Sequence, residues 1–210
     1  MTYAAALWLY AVLVFGIVAV PGMDMLFVLA NTLTAGIRVG LAAVFGIMLG
    51  GAAHTAFGAV ATTAILEIAP WLFRAMIVAG ALYMGWIGLT LIRSTIVVGE
   101  VGGTRPRTPW QALRQGLVTC LMNPKAYLFT ASVFPQFIKP QYGPVALQAL
   151  ALAAITVAMQ FAIYGGLAFG ARAGTSLLTG NPAFSIWAGR ICGAAFLAVA
   201  AWSLSRVLAA

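Results

Sequence analysis

The chain has 210 residues, of which 63% are hydrophobic and only 7% charged, with a mean hydropathy of +1.04 and a formal charge of +8. A water-soluble domain carries about 25% charged residues, so this chain cannot present a solvated surface and reads as an integral membrane protein. Its basic excess is gathered in a few loops rather than along one face, which argues for membrane topology and against nucleic-acid binding.

Apolar stretches long enough to span, at ~20 residues per crossing, run at about 4–30, 40–65, 70–92, 112–138, 144–170 and 186–208. The first has no positive leader, so it is expected to be a membrane span rather than a cleaved signal. It is interrupted by Pro21-Gly22-Met23-Asp24. A short joint at Pro70, just after Glu67, separates the second and third stretches.

The long connection after Arg93 holds Gly99, Gly102, Gly103, Pro106 and Pro109 with Arg105, Arg107 and Arg114, and reads as a basic, solvent-facing linker at about 94–108. Thr108-Pro109 has the form of an N-cap followed by a proline in the first turn, so a helix restarts there. Trp110 is placed at the membrane interface. The fourth stretch is interrupted by Asn123-Pro124-Lys125, Gln141-Tyr142-Gly143-Pro144 forms a turn, and Asn181-Pro182 marks the last loop. Cys120 and Cys192 form no spaced pair and read as packing residues.

Met25-Leu26-Phe27 after the first break is echoed by Ala126-Tyr127-Leu128-Phe129 after the second, about half a chain later. The expected fold is therefore all-α: six transmembrane helices forming one domain over 1–210, as two inverted three-helix repeats (about 1–93 and 109–210) with the first and fourth helices broken at their prolines. Arg38, Arg93, Arg105, Arg107, Arg114 and Arg172 fall on one side, against Arg74, Lys139 and Arg206 on the other. The first side is expected to be cytoplasmic, which puts both termini outside.

Charges deep in a bilayer cost roughly 2.5–3.5 kcal/mol each, so they are rare and usually functional. Asp24 has two readings: a binding group for a substrate ammonium or a proton, or a structural partner of Lys125 or cap of the restarted helix. Lys125 opens a half-helix whose N-terminus favours anions, and a substrate carboxylate suits such a place. Its alternative is a lysine snorkelling at the membrane edge. Asn123 caps that half-helix or binds substrate. His54 is a candidate proton relay, or an interhelical hydrogen-bonding residue. Asn31 and Gln160 are lesser candidates. Small-xxx-small pairs at Gly36/Gly40, Gly46/Gly50, Gly166/Gly170 and Gly189/Gly193 allow close helix contact, within the chain or in a homodimer.

No nucleotide-binding loop, metal-ligand cluster or hydrolase motif is present in the sequence, so neither a cofactor nor a metal nor an enzyme activity is expected.

The run Pro21-Gly22-Met23-Asp24-Met25 through His54, the run Gly116 to Ala126 with Phe134-Pro135-Gln136-Phe137, and Gly80-Ala81-Leu82-Tyr83-Met84-Gly85-Trp86 together resemble the LysE/RhtB family of bacterial amino-acid exporters over nearly the whole chain. The family often has Pro where this chain has Met23. The resemblance implies efflux of amino acids across the inner membrane, driven by the proton motive force, with Pro21, Gly22 and Asp24 on one signature and Asn123, Pro124 and Lys125 on the other. With so few acids, a neutral amino acid is the expected substrate. The alternatives are efflux of a small ion or metal ion by a related fold, or a membrane scaffold that transports nothing.

Overall fold

The computed structural model describes residues 1–68, 70–93, 107–171 and 182–208, and the described residues are helical with short joints. In chain order these are α1 (Tyr3–Ala19), α2 (Met23–Ala35), α3 (Ile37–Ile68), α4 (Pro70–Arg93), α5 (Pro109–Leu121), α6 (Pro124–Phe137), α7 (Val145–Phe169) and α8 (Pro182–Leu208). Both proline motifs break helices as expected. The α1–α2 pair is bent by 56° at the first motif. Linker residues 94–106, the loop at 172–181 and the side chains of Glu67, Arg74, Cys192 and Arg206 lie outside the described set.

The expected number of crossings is not reproduced by length and hydropathy. Among the described residues, Ile37–Ala64 and Val145–Phe169 are each long and apolar enough to span, and α1 with α2 makes a third if the bent pair is one crossing. The physical reason is local. At 1.5 Å per residue, the 13 residues of α5 reach only about 20 Å and the 14 of α6 about 21 Å, short of a hydrocarbon core of ~30 Å. In α4 and α8 the apolar helical stretches among the described residues are Ile77–Thr90 and Gly193–Ser205.

The sequence explains where the helices start. Thr108 accepts from the Gln111 backbone at 3.3 Å, while the Gln111 side chain accepts from the Thr108 backbone at 3.0 Å, with Pro109 in the first turn. This reciprocal capping box satisfies two of the amides that a helix start leaves without partners. Between α6 and α7, the Gln148 amide binds the backbone of Lys139 and Gly143, and Gly143 turns the chain at φ 95°.

The tightest helix contact is α3 on α5. A Cβ added to Gly46 would strike the Leu113 carbonyl, and one added to Gly116 would lie 2.5 Å from that of Ala43. A second close crossing, α4 on α8, brings Gly88 against Gly193. Gly166 has nothing within 4 Å of an added Cβ, so the Gly166/Gly170 pair makes no such contact. The interior is apolar around Tyr10, Leu13, Leu29, Ile47, Phe134 and Phe196. Trp8, Val60, Leu150, Phe169 and Ile191 are each more than two-thirds exposed, an apolar outer surface suited to lipid rather than water.

Candidate functional site

The two helix breaks are brought together. α1 ends at Ala19 and α2 begins at Met23, with Gly22 in the N-cap position. Asp24 is thus the second residue of α2 and not its cap. α5 ends at Leu121 and α6 begins at Pro124, with Asn123 as N-cap. The Asn123 carboxamide oxygen accepts from the Lys125 backbone at 3.0 Å, so the capping reading of Asn123 holds for that oxygen.

Each break is closed by a side chain from the other half of the chain. The Lys125 ammonium donates to the carbonyls of Ile17 at 2.9 Å and Val20 at 3.1 Å. These belong to the last turn of α1, where carbonyls lack helical partners and a cation is favoured. Gly22 makes room: a Cβ there would lie 3.1 Å from the Lys125 nitrogen. In the same way, His54 Nε2 meets the Cys120 carbonyl at 3.0 Å, at the end of α5. An acceptor there makes Nε2 the protonated nitrogen in this contact.

Beside these closures lies a cavity of about 50 Å³. Asp24, His54, Lys125 and Gln160 all line it, so four of the residues singled out by sequence meet at one place. Its apolar wall includes Val14, Ile17, Val18 and Phe129. Tyr10, Tyr164, Thr55, Thr130 and Thr156 also face it, and sequence reasoning missed them. Tyr and Thr are ordinary in membrane helices and carry no insertion penalty comparable to a charge. The Tyr10 hydroxyl and Thr156 share a hydrogen bond of 2.8 Å that ties α1 to α7. Gln160 immediately precedes a π-helical turn at Phe161–Gly165, which contains Tyr164. Such turns often sit at functional sites.

The polar groups at the site are incompletely satisfied. Asp24 is 4% exposed and Asn123 3% exposed. The Asn123 amide faces the Asp24 carboxylate, and Lys125 and His54 are near enough to act on its charge. Yet neither Asp24 Oδ1 nor Asn123 Nδ2 completes a hydrogen bond, and Gln160 Oε1 is a third buried atom in that condition. Buried polar atoms are nearly always satisfied, so such a cluster needs a cause.

Asn31 is not part of this cluster. It donates to the Phe27 carbonyl at 2.7 Å and accepts from Arg107 at 3.5 Å, with the Arg107 guanidinium over the Phe27 ring. It joins α2 to the segment entering α5. Among the described residues no group of three or more His, Cys, Asp or Glu is arranged to hold a metal ion.

The sequence matches the family described as LysE type translocator over residues 14–205. It is 37% identical over 134 residues to a leucine efflux protein of Enterobacter sp. (strain 638), covering 62% of this chain and 63% of that one. It is 32% identical over 158 residues to an uncharacterized membrane protein of Pseudomonas aeruginosa, covering 70% and 71%. A leucine efflux protein of Salmonella choleraesuis is 35% identical over 134 residues, covering 62% of each. The match thus spans somewhat less than two thirds of the leucine efflux proteins. No solved structure matches the chain.

Proposed function

The chain belongs to the LysE family of translocators, and from that premise we propose that it is a secondary transporter of the bacterial cytoplasmic membrane that exports amino acids by proton antiport. The preferred substrate in this reading is a neutral amino acid, in keeping with relatives named for leucine efflux. The observation that carries the reading is the buried Asp24 carboxylate, set in a cavity where two broken helices meet and Lys125 approaches from the opposite half. Asp24 takes the substrate ammonium or the returning proton. The N-terminus of α6, with Asn123 Nδ2 and Lys125, takes the carboxylate.

In this reading the chain crosses six times, as α1/α2, α3, α4, α5/α6, α7 and α8, in two inverted repeats. Part of the helix packing supports it. Exchanging the two halves turns the α3–α5 contact into α7–α1 and the α2–α5 contact into α6–α1, and both partners of each pair occur. The α3–α7 and α4–α8 contacts map onto themselves. Arg93, Arg105, Arg107 and Arg114 favour a cytoplasmic linker, with both termini outside.

At about 50 Å³ the cavity holds roughly three to five waters, at ~10–15 Å³ each, and no amino acid. Transport therefore requires the halves to part further than they do here. The test is counterflow from vesicles containing the pure protein, loaded with mixed amino acids under an imposed pH gradient. Selective, gradient-dependent loss of one or a few amino acids is expected. Retention of every amino acid by folded, inserted protein would overturn the reading.

A further inference from the structure

We infer that Gln160 Oε1 and Asp24 Oδ1 form a two-acceptor subsite for a primary ammonium group, so that Gln160 reads the charged amine of the ligand together with Asp24. The inference rests on the proposed export of amino acids and assigns the amino pole of the substrate to specific atoms. Both side chains line the same small cavity, and both are at least nine-tenths buried, with Asp24 4% and Gln160 5% exposed. Both oxygens lack any hydrogen-bond partner.

The Gln160 amide is packed between two neighbours. The amide interacts with the Cys120 thiol. Gly51 backs the amide: a Cβ at this position would fall on it, within 2.9 Å of its carbon. Any larger residue at 51 would therefore displace Gln160. Gln160 is also the last residue before the π turn, where the regular helical register of α7 changes.

The chemistry of the pair selects its ligand. A carboxylate oxygen and a carboxamide oxygen both accept and neither donates. An ammonium has three donors and a positive charge, so it can serve both acceptors at once and neutralise Asp24. A hydroxyl has a single donor and no charge, and a carboxylate would be repelled. The subsite therefore discriminates 2-amino acids from the corresponding 2-hydroxy acids, while the apolar wall of Val14, Ile17, Val18 and Phe129 meets the side chain.

The test uses the full chain, both in vesicles and in detergent, with three probes: L-leucine, 3-methylbutylamine (the amine without the carboxylate) and 2-hydroxy-4-methylpentanoate (the acid without the amine). In wild type, leucine exchange is inhibited by the amine and not by the hydroxy acid, and the amine raises the unfolding temperature of the pure protein. Gln160→Met, which keeps volume and removes the acceptor, should raise the half-saturation for leucine about tenfold and reduce the stabilisation by the amine. Gln160→Glu, which keeps the acceptor, should restore amine binding. Gln160→Met that folds and retains wild-type affinity for leucine and for the amine would mean that Oε1 holds water only, and would overturn the subsite while leaving export intact. Amine binding that depends on Gln160, with no exchange of leucine, would keep the subsite and overturn export. No binding of the amine to folded wild type would overturn the subsite whatever the transport result.

Discussion

The Lys125 ammonium donates to the Ile17 carbonyl oxygen at 2.9 Å, so the residue that opens α6 closes the end of α1. This contact links the two sequence motifs by a route neither motif reveals. The carbonyls at the end of α1 are freed by the Pro21-Gly22 break, and no water is available in a bilayer interior to satisfy them. A cation from the second half supplies what the break removed. Because the same ammonium is near Asp24, separating the halves must alter the helix end and the environment of the carboxylate together.

Lys125→Met should therefore destabilise the folded protein as well as impair transport. Two carbonyls at the end of α1 lose a charged donor, at a cost of about 1–3 kcal/mol. Thermal unfolding of the detergent-purified variant measures this. An unchanged midpoint would show that the contact with Ile17 and Val20 contributes nothing to stability.

Asp24→Asn tests the carboxylate by a different route. Asp24 Oδ1 makes no hydrogen bond, so a neutral amide of the same shape breaks no contact of that atom, and the loss of negative charge near Lys125 sets the cost to the fold. Export should fall to background because the ammonium or proton acceptor is gone. Vesicle efflux and thermal unfolding on the same preparation separate the two effects. Normal export would remove Asp24 from the mechanism.

The glycines of α3 and α5 give a third prediction with an internal control. Gly116→Val places a side chain against the Ala43 carbonyl and should cost about 1–3 kcal/mol or more by overpacking. Gly166→Ala meets nothing within 4 Å and lies in helical backbone. It should be neutral or stabilising, by up to ~1 kcal/mol, through reduced chain entropy. Equal destabilisation by both would contradict the assignment of close packing to the α3–α5 crossing.

Helix breaks and costly polar residues were legible in the sequence because each violates a strong rule. Pro21 and Pro124 cannot continue a helix, and Asp24, His54, Lys125 and Gln160 stand out against apolar neighbours. Asn31 stood out for the same reason but serves a different contact, with Phe27 and Arg107. Its polarity was readable; its partner, 76 residues away, was not. Tyr10 and Tyr164 were hidden because an aromatic in a span is unremarkable until its hydroxyl is located. Gly51 stood in a glycine-rich run, and its particular role follows only from where the Gln160 amide lies. The six crossings read from hydropathy were reproduced only in part: among the described residues two helices, or three with α1 and α2 taken as one bent span, are long and apolar enough to cross.

The size of the cavity leads to the last prediction. A leucine side chain needs more space than about 50 Å³, whereas an apolar cavity of ~150 Å³ is what accommodates a benzene-sized group. Thr130 is 6% exposed and lines this space. A Thr130→Cys variant, with Cys120 and Cys192 replaced by alanine, should thus react slowly with a membrane-impermeant methanethiosulfonate while the protein rests. During turnover with substrate and a pH gradient the thiol should become exposed in each cycle, and labelling should accelerate. The rate of label incorporation under the two conditions is the measurement. Rapid labelling at rest would mean that the site already opens widely to water, and that the narrow cavity is not the resting conformation.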